Sequence, residues 1–271
     1  MEEPEKSGED PASLPFVAPC RILPTLAPLA WVRQGWRDMW AAPRQSLTYG
    51  AIVVALSLAL ATIAVRFSGY FELLALVSGF ILVAPVLAVG TYVISIHLER
   101  GEKPSLRRCL REEQRALGSL MVFALMLMVV FLVWARAGSA VHVFFPIAEA
   151  TGWRDYLTFF GIGSAIGSIF AAVVFSAAAF SLPMLVDRKV DTVTAVVTSV
   201  NAVLRNKPAM AVWAACIVVA VAPGFALLFI GQQRGGGLAW VMVALGLTLP
   251  LIGHATWHGY RATVDAGQWP P

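Results

Sequence analysis

The stretch Ala116–Ala135 reads ALGSLMVFALMLMVVFLVWA. It holds no Asp, Glu, Lys or Arg, and its length matches the roughly 20 apolar residues needed to cross about 30 Å of hydrocarbon. The run is continuous, not alternating, so it reads as a membrane-spanning helix and not as a barrel strand. Five further windows share the property: 45–65, 73–98, 156–186, 208–233 and 235–260. Over the 271 residues, 58% are hydrophobic and only 13% charged, with a mean hydropathy of +0.74. A soluble domain has about twice that share of charge, and a disordered chain has far less apolar surface. The fold class is therefore an all-α membrane protein with six transmembrane helices. Spans are expected near 46–65, 73–96, 117–137, 158–184, 209–231 and 237–257.

The remaining charges set the domain plan and the orientation. Glu2, Glu3, Glu5, Glu9 and Asp10 face a single Lys6, the reverse of a signal peptide's basic start. Residues 1–28 are expected to be an acidic, disordered cytoplasmic tail. The membrane domain is 29–263, and 264–271 form a C-terminal tail. Arg33, Arg37 and Arg44 precede span one. Arg100, Lys103, Arg107, Arg108, Arg111 and Arg115 follow span two, and Arg188, Lys189, Arg205 and Lys207 follow span four. The opposite loops hold Arg66, Arg154 and Arg234. Positive loops stay inside, so both termini are expected in the cytoplasm of a bacterial inner (plasma) membrane. Cys20, Cys109 and Cys216 form no CxxC pair, and none is placed for an extracytoplasmic disulfide.

An internal repeat is visible at a constant offset of 165 residues. Pro43 falls on Pro208, Ile52–Ala55 on Ile217–Ala220, Pro85 on Pro250 and Thr91 on Thr256. The middle hairpin, from Leu117 to Pro183, fits with roughly 20 extra residues near 137–156. Each hairpin is preceded by an amphipathic helix. Val32, Trp36, Met39 and Trp40 mark the first, Leu106, Cys109 and Leu110 after Pro104 the second, and Val193, Val196, Val197 and Val200 the third. These suit in-plane helices at the headgroup level, with arginines near anionic lipid headgroups. The predicted architecture is three hairpin units, each preceded by such a helix.

Few residues depart from this plan. On the outer side, Arg136 closes span three, where an ion pair with Glu72 or Glu149 is expected. His142 and Glu149 lie in the insertion, which reads as an interfacial loop or a lid. On the inner side, Asp187 and Arg188 follow the Pro183 kink, and His254, His258 and Arg261 close span six. Together they form a candidate polar cluster, expected mainly to lock helix ends. His254 and His258 share a helix face at i, i+4 and are the weak candidates for a metal or haem, with His97 the one other histidine on that side. No Glu follows His254, so the zinc-protease pattern is absent, and the expectation is no cofactor. Gly163, Gly167 and Ala171 form a small-residue face for helix packing.

Four motifs carry a family likeness: Gly35-Trp36-Arg37-Asp38, Trp134-Ala135-Arg136-Ala137, Pro183-Met184-Leu185-Val186-Asp187-Arg188, and Gly253-His254-Ala255-Thr256-Trp257-His258-Gly259-Tyr260-Arg261. Over roughly 29–263 the chain resembles a family of bacterial integral membrane proteins of unknown function, some of whose members are labelled cytochrome c oxidase subunits. The resemblance implies an inner-membrane location and no activity. A haem–copper catalytic subunit needs several core histidines on separate helices, and this chain has four histidines. Three function classes remain. A non-catalytic scaffold, assembly or accessory factor, beside a respiratory complex or another membrane-protein partner, is expected first. A small-molecule transporter or channel within the three-hairpin bundle is the alternative. Haem or metal binding through His254 and His258 comes third. Nothing points to an enzyme or to nucleic acid.

Overall fold

The computed structural model describes residues 15–66, 89–144, 152–234 and 237–270. In chain order the helices are α1 (Ala27–Ala41), α2 (Pro43–Arg66), α3 (described over 89–99), α4 (Leu106–Phe144), α5 (Trp153–Ala178), α6 (Ser181–Asp187), α7 (Thr192–Arg205), α8 (Lys207–Arg234) and α9 (Gly237–Thr263). Among the described residues the only β pairing is a single antiparallel bridge, Cys20 to Val264. Three helical segments among them are long and apolar enough to cross a membrane: Leu106–Val141, Trp153–Asp187 and Lys207–Gly224. They coincide with the expected spans three, four and five. Helices α2 and α9 occupy the segments expected as spans one and six, and most of span two lies outside the described residues.

Prolines and caps explain the breaks. Ala42 precedes Pro43, whose ring disfavours helical backbone in the residue before it, and α1 ends there with Ala42 at φ −132°. Pro43 then opens α2, where the missing N–H costs nothing. Helix α7 is capped by Asp191, whose Oδ1 accepts from the Thr194 amide at 2.9 Å. Pro183 cannot donate to the carbonyl of residue 179. The chain bends between α5 and α6, and the Phe180 amide donates to Ser199 Oγ at 3.0 Å. The helix bounds also keep the repeat register. Shifted by 165, α1 and α2 fall on 192–206 and 208–231, beside the observed α7 and α8.

Two expectations change. Leu106–Phe144 is one uninterrupted helix of 39 residues, so the in-plane helix expected before span three is the first turns of span three itself. No Pro interrupts this segment, and a helix continues unless something stops it. At 1.5 Å per residue it is about 58 Å long, well beyond the hydrocarbon. The insertion near 137–156 is likewise helical over 137–144 and 153–156, so a plain loop is not what its described ends form.

The second change concerns the termini. Residues 15–28, read as part of a disordered tail, lie against the bundle, with Ala18 and Cys20 buried. Arg21 N donates to Thr263 O at 2.8 Å and Asp265 N to Pro19 O at 2.9 Å, and Trp269 is buried nearby. The strap packs through Ala18, Cys20 and Leu23, while Phe16 and Ile22 stay exposed and the acidic residues stop at Asp10. Asn206 is its anchor: Oδ1 accepts from Leu23 N at 2.8 Å, and Nδ2 donates to Arg21 O and Ala202 O at 3.0 Å. Asn206→Ala removes all three of these bonds, two of them half-buried, at about 1–2 kcal/mol. Limited proteolysis by trypsin should then cut the variant at Arg21 several-fold faster than the parent protein. Equal rates would remove Asn206 as the anchor.

The core sits at the end of the bundle where both termini lie. Val89, Val93, Ile94, Leu120, Phe123, Phe180, Met184, Trp213, Trp257 and Tyr260 are among its buried residues. Helix α9 runs through its centre and meets α1, α2, α6 and α8. Glycines permit that proximity. Pro250 cannot donate to the Gly246 carbonyl four residues back, and this oxygen abuts the backbone of Gly50, where a methyl group would overlap it. A Cβ on Gly35 would lie 2.6 Å from the Ala255 nitrogen, and one on Gly259 would lie 2.9 Å from the Trp31 ring. Gly161, Gly163 and Gly167 have open space in their place. The small-residue face expected to pack α5 is therefore not a close helix contact among the described residues. Gly167 and Ala171 instead line an apolar cavity of about 410 Å³ with Leu127, Phe131 and Trp134 of α4.

Candidate functional site

The polar residues of the core end fall into three neighbouring groups. The largest is a hydrogen-bonded chain drawn from four helices. Ser46 (α2) lies 2.9 Å from Nε2 of His254 (α9). The Nδ1 of His254 lies 2.7 Å from Ser95 Oγ (α3). Ser95 donates to Asp38 Oδ2 (α1) at 2.7 Å, and His258 Nε2 (α9) meets the same oxygen at 2.8 Å. Ser46 and His254 are 0% exposed and Ser95 is 1% exposed. Asp38 and His258 keep 15% and 21% side-chain exposure.

The hydrogens follow from the geometry. A serine has one proton to give, and Ser95 gives its own to Asp38. Nδ1 of His254 must then donate to Ser95. In the neutral ring, Nε2 accepts from Ser46. The sequence Ser46–His254–Ser95–Asp38–His258 thus has a donor facing an acceptor at every step. Burial by itself raises the Asp38 carboxyl. The hydrogen bonds from His258 and Ser95 and the nearby His258 ring outweigh that effect and hold it below its ordinary value.

The second group ties α6 to α9 and to the C-terminal segment at Trp269. Tyr260 donates to Asp187 Oδ2 at 2.9 Å, Arg188 Nε meets the same oxygen at 3.1 Å, and Arg188 Nη1 reaches Trp269 O at 3.0 Å. The third ties α3 to α9. Arg261 makes a forked contact with Glu99 Oε1 at 2.9 and 3.1 Å, and Trp257 Nε1 donates to Glu99 Oε2 at 3.0 Å. The expected inner cluster is therefore present at one end of the bundle, but as separate units: His254 and His258 with Asp38, Asp187 with Arg188, and Arg261 with Glu99. His97 belongs to none of them. Its Nδ1 is 3.0 Å from Glu102, while its Nε2 is 3.2 Å from Glu112 without hydrogen-bond alignment.

For a metal or haem iron, His254 and His258 offer no common open face. Both nitrogens of His254 are engaged by serines, and Nε2 of His258 points at Asp38. Among the described residues no group of three or more His, Cys, Asp or Glu side chains converges. The residues present do not fit such a group. On the outer side, Arg136 is exposed and has no ion-pair partner among the described residues. Glu72 and Glu149 lie outside the described residues, as does the side chain of His142, whose backbone sits in the last turn of α4.

Asp38, Ser46, Ser95 and Glu99 were missed by sequence reasoning. Two signals were available for Asp38: it closes the motif Gly35-Trp36-Arg37-Asp38, and it is the sole acidic residue between Asp10 and Glu72, inside an arginine-rich segment. The serines carried none, since a Ser in an apolar helix more often bonds its own backbone.

Residues 73–187 match the model of a family described as predicted integral membrane protein (DUF2189). The matched segment includes the motif Trp134–Ala137 and all but the last residue of Pro183–Arg188, and leaves out those at Gly35–Asp38 and Gly253–Arg261. No curated protein and no solved structure matches the chain. The match and the three long apolar helical segments together make this a membrane protein in a lipid bilayer, similar over that segment to a family of unknown function.

Proposed function

We propose that the chain is a six-span protein of the bacterial inner membrane, with cytoplasmic termini, acting as a non-catalytic scaffold, assembly or accessory factor for another membrane protein. A respiratory complex is one such partner, and another membrane protein would serve the reading equally. The supporting observation is the use to which the polar residues are put. Asp38, Glu99 and Asp187 each bond side chains on other helices, fastening α1, α3, α6 and α9 at one end. Ser46–His254–Ser95–Asp38 superficially orders a hydroxyl, a base and an acid as a hydrolase would. But Ser46 is 0% exposed, and its amide donates to Ala42 O at 3.0 Å, so it cannot serve an oxyanion. The test is purification at native expression in mild detergent. A stoichiometric co-purifying membrane protein supports the scaffold reading, and isolation of the chain alone overturns it.

A transporter reading draws on Glu113. This carboxyl of α4 is buried and hydrogen-bonded to Tyr49, with no cationic partner among the described residues. A buried ionisable group in a membrane bundle commonly marks an ion route. Proton uptake by proteoliposomes that is lost in Glu113→Gln would favour that reading over the scaffold.

A further inference from the structure

Helix α1 has two apolar faces, and only one of them is covered. Pro28, Trp31, Gly35 and Met39 are buried, and Asp38 holds the same helix to α3 and α9. On the other face Leu29, Trp36 and Trp40 are 53%, 52% and 55% exposed. Trp36 and Trp40 stack edge to face at 5.8 Å. Arg33 and Arg37 stand exposed on this same face, at helical spacing between the apolar groups. Arg21, Arg108, Arg188 and Arg261 are all paired with carboxylates. Among the described residues Arg33 and Arg37 are not, as the exposed Arg107, Arg111 and Arg115 are not; what sets the α1 pair apart is the exposed Trp36 and Trp40 beside it.

We propose that the Arg33–Arg37/Trp36–Trp40 face of α1 is a binding site for the phosphate headgroup of an anionic phospholipid in the bilayer that holds the protein. Four observations select this occupant. The chain is a membrane protein, and α1 passes into the apolar helix α2 after a single residue, Ala42. Indole rings prefer the headgroup level, where one edge is apolar and the N–H is wet. Guanidinium groups bind phosphate through two parallel N–H donors. The buried face fixes α1 to the bundle, so the arginines are presented by a rigid support and little ordering is needed on binding. A protein partner would need an acidic surface to cover the two unpaired arginines, and the bilayer supplies that charge to every copy of the chain.

The site is independent of the scaffold reading, since losing a protein partner leaves lipid selectivity in place, and the reverse also holds. The test is native mass spectrometry of the full-length protein, released from detergent and titrated with phosphatidylglycerol or phosphatidylcholine. The protein should bind phosphatidylglycerol in preference. Arg33→Gln/Arg37→Gln should weaken that binding roughly thirty-fold, while Arg21→Gln, already paired with Asp265, leaves it unchanged. Arg33→Lys/Arg37→Lys keeps the charge and should fall between, which keeps the test informative should the Gln variant fold poorly. Equal retention of both lipids, unchanged binding by the Gln variant, or displacement of the lipid by equimolar inorganic phosphate would each overturn the proposal.

Discussion

Gly50→Val should destabilise the detergent-purified protein by about 3 kcal/mol or more, far beyond Gly118→Ala or Gly161→Ala. The reason lies in what each glycine faces. A Cβ on Gly50 overlaps the main-chain oxygen of Gly246 and comes within 3.3 Å of the Pro250 ring. A main-chain oxygen cannot rotate away as a side chain can. Either α2 and α9 separate or the α9 backbone shifts, and both movements disturb Ser46 and His254 on the same pair of helices. Gly118 and Gly161 have nothing within 4 Å of the corresponding point. Alanine there should be neutral or should stabilise by up to about 1 kcal/mol, because a helical glycine surrenders more chain entropy than alanine. Thermal unfolding of the three variants, followed by circular dichroism, checks this. A Gly50→Val protein that melts with the parent would show that the two helices do not cross at this point.

That contrast also shows how far the sequence could be read. The charge-free windows located the apolar helices, because exclusion of charge from hydrocarbon acts on every residue of a span. Pro43 and Pro208, matched by the 165-residue offset, both stand in the first turn of a helix, α2 and α8, where a missing N–H costs nothing. Contacts between helices left no such trace. Gly50 and Gly163 look alike in sequence, yet one meets a carbonyl and the other faces open space. His254 and His258 were placed on one face by their spacing. Their partner Asp38 is 220 residues from His258, and nothing local connects a residue to a partner at that distance. The strap at 15–26 was obscured because the acidic run of the first ten residues biased the reading of those that follow.

Asp38→Ala should cost about 2–4 kcal/mol, and Asp38→Asn clearly less at neutral pH. One oxygen of Asp38 receives Ser95 and His258 together. Alanine leaves both donors unmet, and with Ser95 unanchored the tautomer of His254 loses its determinant. Asparagine retains an oxygen acceptor at the same place and loses only the charge. The pH dependence separates these two contributions. The Asp38 carboxyl is held below its ordinary value in the folded protein. An acid with a lowered folded-state value favours folding above its unfolded value of about 3.9. That contribution is lost as pH falls through the folded value, because protonation removes the stronger acceptor. The Tm difference between the parent protein and Asp38→Asn should therefore be largest near pH 6–7 and shrink below about pH 4. Asp38→Ala should stay below the parent at both ends, since the lost hydrogen-bond acceptor does not depend on charge alone. A Tm difference for Asp38→Asn that is constant from pH 7 to pH 3 would mean that the carboxylate charge does no work in the network. A double-mutant cycle with His258→Gln completes the measurement. Coupling between positions 38 and 258 is expected at neutral pH, and strictly additive effects would show that α1 and α9 are held together by packing of Trp31, Gly35 and Gly259 alone.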